Sequence, residues 1–169
     1  AVQESKLVDV FLPLDGLRYC RKHLRKWMKP QSRHNSYWFK PGSNRVLPQP
    51  KGVVGGIAPW NYPLFLVVGP LASALAAGNR CMVKMASNSQ NLCRLFAKLV
   101  AEKFDEDTLA ILPGVRASEF TPMPWDHLVF TGSPESGKVV MKTAAENLTP
   151  VTLELGGKSP TIVCDDFDL

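Results

Sequence analysis

From Gly52 onward the chain alternates short apolar runs with stretches in which apolar residues recur at helical spacing. Such a texture predicts strands of a parallel sheet joined by helices packed across it. Gly52–Ala58 reads as the first strand, 63–77 as a buried helix and Arg80–Met85 as the second strand. Ser89 stands at an N-cap position ahead of Leu92, Leu95, Phe96, Leu99 and Val100, whose spacing traces the apolar stripe of a helix ending near Phe104. Thr108–Leu112 is a third strand, closed by Pro113-Gly114, and 115–125 is a loop or a short helix. His127–Thr131 is a strand running into Gly132-Ser133, and Pro134–Asn147 a helix with proline at its first position, where a missing N–H costs nothing. Val151–Leu155 and Thr161–Cys164 are two further strands, flanking Gly156-Gly157-Lys158-Ser159-Pro160. This series implies right-handed crossovers and an open, doubly wound, mostly parallel α/β sheet.

The region ahead of Gly52 has a different texture. Leu17, Cys20, Leu24 and Met28 recur at helical spacing among the cations of Arg18–Lys29, which predicts an amphipathic helix. Pro30–Pro50 is polar and aromatic, rich in turn formers, and reads as an extended arm or linker. Two units follow: helix and arm over 1–51, and a partial domain over 52–169.

Length and composition set few further bounds. With 169 residues, 45% hydrophobic and 21% charged, the chain matches an ordinary globular domain rather than a disordered or fibrous one. Its most apolar run, Tyr62–Ala77, is broken by Pro63, Gly69 and Pro70 and falls short of the roughly 20 residues of a membrane span. The opening residues lack the long apolar stretch of a secretory signal. The net charge of +5 is unevenly distributed: residues 1–51 carry 11 Lys/Arg against 3 Asp/Glu, residues 52–169 carry 9 against 12. A basic helix can lie on nucleic-acid phosphates, but a solvated helix face is the favoured reading, and neither a nucleic-acid nor a membrane partner is expected. Cys20, Cys81, Cys93 and Cys164 form no CxxC pair and lie in apolar or periodic segments. Reduced thiols in a cytoplasmic protein, with no metal site, are therefore expected.

Ligands of doubly wound sheets gather at the carboxyl ends of strands. Four such places carry candidate chemistry. In Ala58-Pro59-Trp60-Asn61-Tyr62-Pro63, two prolines stiffen the backbone around Asn61, whose amide is either an oxyanion-hole donor or, as local sequence favours, a helix cap. Lys84, ending the second strand, is either a ligand for ribose hydroxyls or phosphate or an exposed strand-end lysine. Phe130-Thr131-Gly132-Ser133 opens a helix, where backbone N–H groups can hold a pyrophosphate or Ser133 can simply cap. Glu154 is a carboxylate among apolar strand residues before a glycine pair, so it is either a general base raised by desolvation or a salt-bridge partner of Lys158.

Together, PWNYP, the VKM lysine, FTGS and LELGGKSP, in that order, resemble the NAD(P)-dependent aldehyde dehydrogenase superfamily from about Gly52 onward. RKHLRKWMKP and WFKPGSNRVLPQPKGVVGGIAPWNYPL resemble its coniferyl aldehyde dehydrogenase branch. The resemblance implies a partial Rossmann-like NAD(P)-binding domain, an aldehyde substrate and homo-oligomeric assembly. It implies roles for Asn61 as oxyanion-hole amide, Glu154 as the base that activates water, and Lys84 as ribose ligand. By the same resemblance Ile57, Ala58, Pro59 and Trp60 line the cofactor cleft, Gly132 and Ser133 meet the pyrophosphate, and Leu155 and Gly156 lie beside the nicotinamide.

Three departures from the family pattern alter the expectation. Ser87 stands where an acidic residue often binds ribose hydroxyls, which makes NADP more plausible beside NAD. Pro134 replaces a common threonine. The family's nucleophilic cysteine lies a few tens of residues beyond the ELGG motif, and Cys164 lacks its surrounding motif, so the chain is expected to be a catalytically incomplete fragment. The alternative reading is a folded, non-catalytic module that binds cofactor or oligomerises.

Overall fold

A computed structural model describes residues 2–165. Its N-terminal helical stretch is continuous: α1 (Val2–Ser5) passes through a π-helical turn (Lys6–Phe11) into α2 (Leu12–Trp27). Pro13 offers no N–H to the carbonyl four residues earlier, a local cause for the widened turn beside it. The π turn and α2 pack against a later helix, and Cys20 and Leu24 of the predicted stripe are half-buried there. Leu17 and Met28, also of that stripe, remain exposed.

The segment expected to be an extended arm is a hairpin. β1 (Gln31–Arg33) pairs antiparallel with β2 (Asn44–Val46), with Ser32 opposite Arg45. All six residues are exposed, so no alternation of apolar and polar positions marks them. Their connection is held by polar side chains instead. Asn35 donates to the Phe39 and Gly42 carbonyls at 3.3 and 2.6 Å, and Asn44 donates to the His34 carbonyl at 3.1 Å.

The main sheet follows the predicted alternation. In chain order it contains β3 (Val53–Ile57), α3 (Pro63–Ala76), β4 (Arg80–Lys84), α4 (Gln90–Ala101), β5 (Leu109–Ile111), α5 (Ala117–Phe120), β6 (His127–Thr131), α6 (Pro134–Ala145) and β7 (Val151–Glu154). The five strands lie in the order β5-β4-β3-β6-β7, all parallel. Successive side chains of β3 serve opposite faces. Val54 joins a core with Val67, Leu71, Cys81, Val83, Met85, Cys93, Val100, Leu109 and Ile111, under α3 and α4. Ile57 joins the other core with Phe120, Trp125, Leu128, Phe130, Val140 and Ala144, under α5 and α6. Helices on both faces make the sheet doubly wound.

Gly55 belongs to that second face. A Cβ there would stand 2.7 Å from the Trp125 ring and 2.8 Å from Leu128, so only hydrogen leaves room for both. The Trp125 indole N–H in turn donates to the Phe120 carbonyl at 3.0 Å, which fixes the ring against the strand.

Two local expectations are corrected. Ser89 does occupy the N-cap position of α4, but its hydroxyl makes no cap bond; Gln90 ties this corner instead, donating to the Ala86 carbonyl at 3.0 Å and accepting from the Gly114 N–H at 2.7 Å. Thr161–Cys164 is not a strand. All four residues are exposed and bury no face, so the β-branched Thr161, Ile162 and Val163 have nothing to pack against.

Candidate functional site

β3 leads through α3 to β4 on one side, while β6 lies on its other side, so the order in which strands are added reverses at the parallel β3/β6 pair. A crevice forms at such a switch point, beyond the carboxyl ends of the strands. Here it is an open cleft of about 590 Å³. Pro59, Trp60 and Asn61 enter it from the end of β3, Thr131, Gly132 and Ser133 from β6, and Glu154, Leu155 and Gly156 from β7. Eight of the residues singled out from sequence thus share one cavity.

Local geometry explains how each is presented. Asn61 is exposed and does not cap α3; the cap position falls on Tyr62, whose backbone is left-handed (φ 48°, ψ 52°) and whose side chain makes no cap bond. The sequence-favoured capping role for Asn61 is therefore replaced by a free amide at the cleft wall. Ser133 does cap: its hydroxyl accepts from the Ser136 N–H at 3.2 Å. With Pro134 at the first helical position, the start of α6 offers fewer N–H donors to an anion than a proline-free helix would. Gly132 is pressed from below, since a Cβ would stand 2.6 Å from the Phe130 ring.

Glu154 departs from expectation in its surroundings. Its side chain is exposed at the end of β7, so the apolar enclosure suggested by its neighbours is not present. Among the described residues the ion pair found is Arg116 with Glu119, not Glu154 with Lys158. Exposure leaves the carboxylate facing the cleft and open to water.

Lys84 is corrected in the opposite sense. It is only 8% exposed, and burial lowers its ammonium below the ordinary lysine value. It lines a second hollow of about 350 Å³ at the ends of β4 and β5, with Ser87, Gln90 and Arg116. Ile57 and Ala58 are buried at 7% and 4% and line a narrow interior space between β3 and α3 rather than the open cleft. The structure thus gathers the β3, β6 and β7 candidates and sets Lys84 with Ser87 in an adjoining hollow along the same sheet edge.

One wall of the cleft was not anticipated. Phe65, Leu66, Gly69 and Pro70 line it from one face of α3. Their spacing of three to four residues was visible, but a helix apolar on all sides does not reveal which face meets a cleft. Pro70 also leaves the Leu66 carbonyl without its intrahelical donor at this wall.

No cysteine lines the cleft among the described residues. Cys81 and Cys93 are buried, and burial pushes the Cys81 thiol up to about 11 and raises that of Cys93. Such thiols are inert as nucleophiles. Cys164 is exposed in the segment after β7. Among the described residues no three His, Cys, Asp or Glu side chains are grouped to hold a metal ion, and no helix is long and apolar enough to cross a membrane.

With this geometry in place, similarity to known proteins is informative. The aldehyde dehydrogenase family model matches residues 1–169. The chain is 51% identical to a probable coniferyl aldehyde dehydrogenase of Pseudomonas aeruginosa, over all of this chain and 36% of that protein. It is 43% identical to a coniferyl aldehyde dehydrogenase of a Pseudomonas species, over 99% of this chain and 35% of that protein. A substrate-bound AldH structure from Staphylococcus aureus superposes with a TM-score of 0.88 at 36% identity, covering 93% of this chain and 35% of that one. A Mycobacterium tuberculosis aldehyde dehydrogenase in complex with NAD+ superposes with a TM-score of 0.81 at 36% identity, covering 98% and 34%. The chain therefore spans about a third of the length of these relatives. Sheet order, strand-end motifs and family match converge, and the chain belongs to the aldehyde dehydrogenase family.

Proposed function

We propose that this chain forms much of the cofactor-binding half of an aldehyde dehydrogenase that oxidises an aldehyde of the coniferaldehyde class to the carboxylic acid with NAD or NADP. One observation carries the reading: an amide (Asn61), a helix-opening hydroxyl (Ser133) and a carboxylate (Glu154), far apart in sequence, face one cleft.

The residues present suit a dinucleotide. Bare glycine backbone at 132 leaves no room for a side chain beneath the ligand, whereas a Cβ on Gly156 would meet nothing within 4 Å, so that part of the site is open. Gly132 and Ser133 would hold the pyrophosphate. Lys84 and Ser87 would hold the adenosine ribose, and a neutral Ser87 lets a 2′-phosphate approach where an acidic side chain would repel it. Leu155 and Gly156 would flank the nicotinamide, with Pro59 and Trp60 on the opposite wall and Ile57 and Ala58 supporting that wall from the core. The bound cofactor supplies a hydride acceptor.

Within this chain Asn61 would donate its amide N–H to the oxygen of the reacting carbonyl, and its mount between prolines limits reorganisation as charge develops there. Glu154 would accept a proton from the water that hydrolyses the acyl intermediate. Cysteine chemistry in this family needs a thiolate beside the substrate, and none of the described cysteines lines the cleft. We therefore propose that the chain alone is catalytically incomplete. Coniferaldehyde with either cofactor should give no reduced cofactor above blank, and turnover by this chain would overturn that part of the reading. Isothermal titration with NAD and NADP tests cofactor binding directly. Homo-oligomeric assembly is part of the same reading, supported by Tyr37, Trp38 and Phe39, which are 78%, 87% and 71% exposed. Light scattering coupled to size exclusion tests it, and a monomer at all concentrations would count against it.

A further inference from the structure

The Asn61 loop is tied to the N-terminal helical stretch at two points. The Tyr62 hydroxyl donates to Glu4 Oε1 at 2.6 Å, and the Phe65 N–H donates to Asp9 Oδ1 at 3.3 Å. Both acceptors are separated from the loop by more than fifty residues of chain, 58 and 56 positions respectively. The tether points are Tyr62, which directly follows Asn61, and Phe65 in the first turn of α3.

The loop needs such support. Tyr62 is held at φ 48°, ψ 52°, a left-handed conformation that is unfavourable for a bulky side chain and persists only where surroundings hold it. No side chain at the cap position of α3 satisfies its first N–H groups. Phe65 is the third residue of α3, the position whose N–H a cap side chain ordinarily bonds. Asp9 occupies that role from another helix, and its carboxylate also complements the positive end of the α3 dipole. Asp9 can reach because the π-helical turn that contains it packs on α3.

We propose that Glu4 and Asp9 are positioning residues for the Asn61 amide: Glu4 fixes the Tyr62 ring and Asp9 caps α3, and together they hold the strained turn that aims Asn61 into the cleft. The inference rests on the reading of Asn61 as a carbonyl-oxygen donor for its purpose, but the tether is measurable without it.

Amide hydrogen exchange of the 169-residue chain, read residue by residue, tests the tether. Asp9→Ala should speed exchange at Phe65 about fivefold, the effect of losing one cap bond. Glu4→Ala should speed exchange over Asn61–Leu66, while amides of β4 and β6 keep their protection. Asp9→Asn and Glu4→Gln retain an acceptor oxygen and should restore protection, whereas Asp9→Leu and Glu4→Met, which fill the space without an acceptor, should not; rescue by the apolar pair would show packing alone. Glu4→Ala and Tyr62→Phe remove the same bond, so combining them should add little to either alone. Unchanged exchange at 61–66 in both alanine variants would overturn the proposal. Acceleration spread evenly through β4 and β6 would also overturn it, by showing that the helix only supports the whole sheet. If no cofactor binds while the exchange pattern holds, the cofactor reading fails and the tether stands.

Discussion

The Gly132 N–H donates to the Glu154 carbonyl at 3.0 Å, so the phosphate-loop candidate and the candidate base are joined through backbone at the ends of adjacent strands. Thr131 lies opposite Glu154 in the β6/β7 ladder, and this bond carries the pairing one step past the strand ends. The two loops cannot move independently without breaking it. Any change that displaces Gly132 should therefore be felt at Glu154.

Gly132→Ala tests that coupling. The new methyl would meet the Phe130 ring, itself 7% exposed and packed in the core. Overpacking of this kind costs about 1–3 kcal/mol, measurable as a lowered urea midpoint. Exchange at Leu155 and Gly156 should rise with it. An alanine variant of unchanged stability would show that the ring has space to move.

Gly55→Ala should be at least as damaging, since the added Cβ meets Trp125 and Leu128 at once. Leu128→Ala has the converse defect. Leu128 is fully buried, and truncation should cost about 2–5 kcal/mol by urea unfolding.

Lys84 is held in a mostly buried position with its ammonium lowered by desolvation. Replacing a desolvated charge by an apolar side chain of similar length should leave thermal stability unchanged or higher. Lys84→Met should nevertheless weaken cofactor affinity by about tenfold or more in a calorimetric titration. A large loss of stability in this variant would mean that Lys84 serves the fold instead.

His127 gives a pH dependence whose sign can be stated. Lys51 Nζ lies 3.2 Å from its Nδ1 and Thr152 Oγ1 lies 2.8 Å from its Nε2. An ammonium can only donate, so Nδ1 accepts from Lys51 and Nε2–H donates to Thr152. Burial, and then Lys51, lower His127 below its ordinary value of 6.5. A depressed histidine contributes stability that is present above pH 6.5 and lost as pH falls through the folded value. Lys51→Met should raise the His127 titration midpoint, followed by its ring proton shifts. A midpoint unmoved or lowered by that substitution would contradict the arrangement.

Much of the sheet was legible because its strands and helices are apolar in the right periods. Gly52–Ala58, Arg80–Met85 and His127–Thr131 each end at a motif, and β3, β4 and β6 end there too. Features without an apolar signature were not legible. The β1/β2 hairpin is exposed on all its residues, and Thr161–Cys164 has strand-like residues but buries nothing. Burial itself was misjudged at both titratable candidates, with Lys84 inside and Glu154 outside, because local sequence does not show what lies across the sheet. The Glu4 and Asp9 contacts bridge more than fifty residues and could be found only in three dimensions.

The most direct measurement of the proposed site is a titration of the isotopically labelled chain with NAD and with NADP, followed by backbone amide shifts. Saturable shifts should concentrate at Trp60–Asn61, Lys84–Ser87, Gly132–Ser133 and Leu155–Gly156, and Lys84→Met should weaken them. Shifts confined to another surface, or none at millimolar concentrations of either cofactor, would contradict the site.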